Sequence, residues 1–169
     1  MAFSISNPSV EDRLSSCEEE FEKINFIIKG MGAMSHPIPY LTRYSIIRAC
    51  GAIEYGFKTI ISDINLESQT KQLKQFVDIK FRNSSMNPSY SNICKGLASF
   101  DDAWKDKFKE NINKLNDKNK VLDSLDSLNN ARNTFAHGGS PSTSFVNVQE
   151  YFRDSVKVLE ALELALKEN

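Results

Sequence analysis

The sequence predicts an all-α fold: an up-and-down bundle of about five to six helices forming a single domain over residues 1–169. Three observations predict it. Apolar residues recur at intervals of three and four along most of the chain, and no segment shows strand-like alternation. Glycine and proline are sparse, at seven and five, so long helices can run uninterrupted. Hydrophobic residues make up 40% and charged residues 25%, the balance of a globular chain with one sizeable core.

The first helix is predicted over about Pro8 to Met31. Asn7 can cap it and Pro8 suits its first turn. Val10, Leu14, Cys17, Phe21, Ile24, Ile28 and Met31 then form one apolar stripe. Glu18, Glu19 and Glu20 read as a solvated face, because no His or Asp stands beside them at ligand spacing. Gly30 to Pro39 is a loop broken by prolines, with His36 as a loop residue. The second helix runs from about Tyr40 to Asp63 on the stripe Ile47, Cys50, Phe57 and Ile61. Glu54 falls on that same stripe, a local inconsistency. A carboxylate on an apolar face is normally paired, here with Arg43, Arg48 or Arg132.

A third helix is predicted over about Leu66 to Phe81, followed by a polar loop, Arg82 to Ser89. Tyr90 to Leu115 reads as a less regular helical region carrying the only tryptophan, Trp104. The lysines between Lys105 and Lys120 alternate with Asp106, Glu110 and Asp117, so a solvated face is the default there and an RNA-contacting edge the alternative. After a break at Asn116–Asn119, a helix from about Val121 to Ala136 buries Leu122, Leu125, Leu128 and Phe135 and stops at Gly138-Gly139. The last helix spans about Asn147 to Lys167. Val148, Phe152, Ser155, Leu159, Leu162 and Leu166 keep the four-three-four rhythm of a packed helix, and Tyr151 and Phe152 read as core or dimer contacts.

Composition narrows the function classes. Twenty-one basic residues face 22 acidic ones, for a net charge of −1. Broad phosphate binding normally goes with a basic excess, so any nucleic-acid contact must use locally concentrated charge or two chains together. The cysteines, Cys17, Cys50 and Cys94, are odd in number and far apart, and histidines are limited to His36 and His137. That predicts buried reduced thiols, with no metal site and no cofactor. The N-terminal residues lack a basic leader region and no apolar run approaches the ~20 residues of a bilayer span, so a cytoplasmic chain with no membrane partner is expected.

One segment carries chemistry. Arg132 and Asn133 are adjacent near the end of an apolar helix, and His137 follows just before two glycines. Asn133 and His137 are four apart and share a helix face. Arg132 and His137 are five apart, roughly 140° around an ideal helix of ~3.6 residues per turn. They can flank one cleft only if the helix turns at Ala136–Gly138 or a second copy completes the site.

The string Leu128-Asn129-Asn130-Ala131-Arg132-Asn133-Thr134-Phe135-Ala136-His137-Gly138 resembles the final motif of the RiboL-PSP-HEPN-type families of the HEPN superfamily. Arg48 to Tyr55 resembles their early helix, in which a Glu follows a small-residue apolar run, and Tyr151 to Leu166 resembles their closing helix. The resemblance implies a symmetric homodimer whose two Arg/His segments meet in a composite RNA-cleaving site. It also implies a metal-independent endoribonuclease of a toxin–antitoxin or phage-defence system, with an antitoxin or other protein as a possible partner. Some HEPN toxins carry a Tyr two residues after the His, which a partner enzyme modifies; here that position is Gly139.

The expected site is Arg132, Asn133 and His137, with Glu54 in support. His137 can serve as general base or acid. Arg132 can hold the scissile phosphate. Asn133 can orient His137 or bind a phosphate oxygen. Glu54 can fix Arg132 or tune His137. Each also has a plain structural role: His137 capping helix carbonyls, Arg132 in an internal ion pair, Asn133 bonding to a neighbouring helix, Glu54 as a paired carboxylate. The alternative function is a non-catalytic helical dimer that binds a protein or RNA.

Overall fold

In a computed structural model, residues 3–32, 35–64, 66 and 69–167 are described, and among them there are seven α-helices, one π turn and no strand. The helices are α1 (Pro8–Met31), α2 (Ile38–Asp63), α3 (Lys71–Val77), α4 (Tyr90–Ala98), α5 (Asp102–Asn113), α6 (Lys118–Ala136) and α7 (Phe145–Lys167), and the π turn is Asp78–Arg82.

The two sequence-predicted helices that change most do so for local reasons. The third begins at Lys71 rather than Leu66, where the Thr70 hydroxyl accepts the Leu73 N–H at 3.3 Å, and residues 67 and 68 of the expected helix lie outside the described ones. It then widens into the π turn, whose end is clamped by Arg82 donating to Asp78 and Asp63 at 2.7 and 2.5 Å. The region Tyr90–Leu115 is two helices, because Ala98 ends one and Asp101 caps the next, its carboxylate accepting the Ala103 N–H at 2.8 Å. The helix count is therefore above the expected five to six. The expected reading of Met1 and Ala2 lies outside the described residues.

Four long helices set the architecture. Arg48 and Tyr44 of α2 reach Glu20 of α1, while Asn7, just before α1, reaches Asp63, so α1 and α2 run antiparallel. Cys50 of α2 meets Asn129 of α6, and Arg43 meets Ser140 beyond its end, an antiparallel pair again. Asp117 and Ser124 of the α6 strip meet Lys157 and Asp154 of α7, the third such pair. One end of the bundle therefore gathers the ends of α1 and α6 and the starts of α2 and α7.

α7 is the central element, with 13 of its 23 residues buried against α2, α5 and α6. Phe152 packs edge-on to Phe21 with ring centres 5.4 Å apart, and Phe145 joins the same ring at 5.9 Å. Three carboxylates are buried and paired, among them Glu18, which the sequence reads as solvated and which accepts from Arg153 Nε at 3.0 Å. Asp154 accepts from Ser124 at 2.9 Å and Lys157 at 3.1 Å, and Glu163 accepts from Lys167 at 2.8 Å and from the N–H groups of Ser6 and Asn7. All three cysteines are free and buried, and burial pushes the Cys17 thiol up to about 12.

Candidate functional site

The end of α6 is built by a specific stop. His137 is its C-cap, with φ −92° and ψ 17°. Gly138 takes φ +81°, a conformation side-chain-bearing residues resist. The N–H of Gly139 then donates to Thr134 O at 2.8 Å and that of Gly138 to Phe135 O at 3.0 Å, the two bonds of a Schellman closure. A Cβ on residue 139 would lie 2.8 Å from the Thr134 methyl, so this tight turn selects glycine at that position.

Because the helix ends there, His137 projects beyond the last turn and is exposed. Its backbone N–H donates to Asn133 O at 3.0 Å, and no hydrogen bond ties its ring to Arg132 or Asn133. Arg132 and Asn133 are half-buried, and Arg132 Nη1 donates to Asn133 Oδ1 at 3.1 Å. The structure thus joins Arg132 to Asn133 side chain to side chain, and joins His137 to them through backbone alone. The charge of Arg132 is felt at Cys50 of α2, whose thiol burial lifts to about 11 while the guanidinium pulls it the other way.

Glu54 does not pair with an arginine. It is half-buried and accepts from Lys58 Nζ at 2.6 Å, one turn along the same helix, and Lys58 also donates to Ser84 O. The expected supporting role toward Arg132 is therefore not formed in the single chain. Lys58 is the partner because the residue is itself only 4% exposed and its charge needs a counter-charge at once. Arg48, another expected partner, is taken by Glu20 at 2.6 and 2.8 Å. Phe135, expected in the core, is 37% exposed, since it lies in the last turn of α6 where neighbouring helices no longer cover it.

Sequence reasoning missed Arg43 as a member of this neighbourhood. Its Nη2 donates to Ser140 Oγ at 3.0 Å, and its guanidinium lies 5.9 Å from the Phe135 ring centre and 5.6 Å from that of Tyr40. Arg43 therefore touches the chain on both sides of His137. Only the three-dimensional antiparallel pairing of α2 with α6 brings it there, so no local motif signals it. A groove lined by Ile38, Thr42, Arg43, Pro141, Thr143 and Phe145 opens beside it. A larger groove between α5 and α7, lined by Asn111, Lys114, Leu115 and Leu164, is remote from the motif.

The all-helical fold is consistent with a HEPN domain. The sequence profile described as RiboL-PSP-HEPN matches residues 12–168, nearly the whole chain, and the chain belongs to that family. No curated protein and no solved structure matches it. Among the described residues no helix is long and apolar enough to cross a membrane.

Proposed function

We propose that the protein is a metal-independent endoribonuclease that acts as a homodimer and serves as a toxin or defence effector. The observation that carries this is the end of α6: an exposed His137 held at a fixed helix stop, next to an Arg132 whose side-chain partner among the described residues is the neutral amide of Asn133. A guanidinium without a carboxylate keeps its charge and forked donors for a phosphate.

RNA brings its own nucleophile. A neutral imidazole takes the 2′-OH proton as the oxygen attacks the adjacent phosphorus. The O2′–P bond forms, the P–O5′ bond breaks, and a protonated imidazole supplies the proton that the 5′-oxygen needs. Arg132 balances the charge building on the phosphorane, and Asn133 holds the guanidinium in place. The products are a 2′,3′-cyclic phosphate and a 5′-OH. In one chain Arg132 is half-buried and His137 stands past the helix end, so a symmetric second copy is what completes the cleft. An antitoxin partner fits this reading, but one that modifies a Tyr two residues after the His does not, since residue 139 is a glycine with no hydroxyl to modify.

The test is cleavage of a mixed RNA pool by purified protein in EDTA, beside Arg132→Ala and His137→Ala. Wild type should cut and both variants should not, with cyclic phosphate ends on the products. The net charge of −1 favours the alternative, a helical dimer that binds without cutting. Expression in a host separates the two: an active enzyme slows growth and His137→Ala relieves it, whereas a binding module is harmless in both forms.

A further inference from the structure

The six arginines of the chain divide into two groups. Arg48, Arg82 and Arg153 are closed by Glu20, by Asp63 with Asp78, and by Glu18. Arg13, Arg43 and Arg132 form no ion pair among the described residues, and Arg13 lies over Tyr55 on the far part of α1. The other two converge on the end of α6. Arg43 gives one of its five N–H donors to a neutral hydroxyl, and its remaining donors have no acceptor among the described residues. It is flanked by two rings that keep open surface, Tyr40 at 69% and Phe135 at 37% exposure. A half-buried guanidinium with vacant donors, placed between two solvent-facing aromatics, has the makeup of a single-strand nucleic-acid subsite: the cation takes a backbone phosphate and the rings take the faces of unstacked bases. Bases inside a duplex offer no free face, so the same surface discriminates against double strands.

We propose that Arg43, Tyr40 and Phe135 form a substrate-binding subsite for single-stranded RNA beside the Arg132–His137 segment, Arg43 holding a phosphate next to the scissile one. The proposal rests on the reading of that segment as an RNA-cleaving site. It also answers the charge problem of a chain at −1, because the positive charge is concentrated at one end of the bundle by leaving two arginines without acids.

The test uses wild-type protein and a fluorescein-labelled 2′-O-methyl RNA of about 12 nucleotides and mixed sequence, within the range of single-strand sites. The probe lacks the attacking hydroxyl, so binding is read apart from cleavage. Arg43→Ala should weaken binding about tenfold and reduce the slope of log affinity against log salt by about 0.7, the loss of one phosphate contact. Arg43→Lys should restore the slope but not the affinity. Tyr40→Ala, at a highly exposed position, should weaken binding about tenfold without altering the melting temperature. Lys80→Ala, an exposed lysine on the π turn, should change nothing. The same probe annealed to its complement should bind more weakly. Binding of Arg43→Ala and Tyr40→Ala within twofold of wild type, equal affinity for the duplex, or no binding of the single strand by wild type would each overturn the subsite. If Arg43-dependent binding is seen but natural RNA stays intact in EDTA, the subsite stands and the cleavage proposal fails.

Discussion

Midway along α2, Arg48 sends two donors to Glu20 at 2.6 and 2.8 Å, and Tyr44 adds a third bond to the same carboxylate at 2.7 Å. At the end of α6, Arg132 reaches, among the described residues, a neutral amide alone, at 3.1 Å. The first guanidinium is spent on holding α1 to α2. The second is held in position but left electrostatically open. Residue type is the same in both places, and what differs is whether the fold supplies an acid. An arginine's function is therefore read from its partner before its position in a motif.

That contrast can be broken or sharpened by substitution. The largest effect is expected at the open end: His137→Ala should lower RNA cleavage about 10³-fold, the range for loss of a general acid–base group, with no change in melting temperature because the side chain is exposed. Equal cleavage by the variant would place the chemistry elsewhere. Next comes Glu54→Gln. It strips the buried Lys58 of its carboxylate and should cost about 2–3 kcal/mol in denaturant unfolding, while leaving cleavage by the folded fraction unchanged. A large loss of activity instead would restore Glu54 to the site through a contact that only the dimer forms.

Arg48→Ala should cost about 1–2 kcal/mol and leave RNA cleavage intact, since the pair is half-buried and bidentate rather than part of the site. Its pH signature is specific. The Arg48 guanidinium beside Glu20, with Tyr44 helping, holds that carboxyl below its ordinary 4.5. A depressed folded-state value means the contribution is fully present above about pH 4.5 and is lost as pH falls through the lowered value. Thermal melts in acid should show that loss in wild type and a shallower one in Arg48→Ala. The smallest effect is at the helix stop: Gly138→Ala, at φ +81°, should cost about 1 kcal/mol. It should also reduce cleavage by moving His137, a coupling that equal activity would refute.

The long helices were legible because their periodicity is strong. All six residues of the α7 stripe are buried, and in α1 the stripe holds from Val10 to Ile24, then lapses to a half-buried Ile28 and an exposed Met31 as the helix outruns its neighbours. The same end effect exposes Phe135, whereas Ile47 is exposed because the buried face of α2 runs through Ile46, Ala49 and Cys50 instead. Short elements were harder. One capping aspartate, Asp101, divides a helical region whose composition does not change across the break. At the candidate site, Arg132, Asn133 and His137 lie close together in sequence, so their spacing alone marks them as candidates. The pairing of Glu54 was misassigned because charge type was matched across helices, when the nearest cation lay four residues along its own. Arg43 was not legible as a neighbour of His137, since its partner Ser140 is 97 positions away.

The three buried thiols give the chain a set of internal clocks. Cys17 sits in α1, Cys50 in α2 and Cys94 in α4, all free, and burial raises each above its ordinary value. Alkylation requires the thiolate, so in the closed protein all three are chemically silent. Each becomes reactive only when its own stretch of helix opens, and its labelling rate therefore reports how often that stretch breathes. Cys50 is the informative one, because its thiol bonds to Asn129 of α6 and feels the charge of Arg132: a ligand that fastens the end of α6 would slow the Cys50 clock more than that of Cys94, and so announce itself without any turnover.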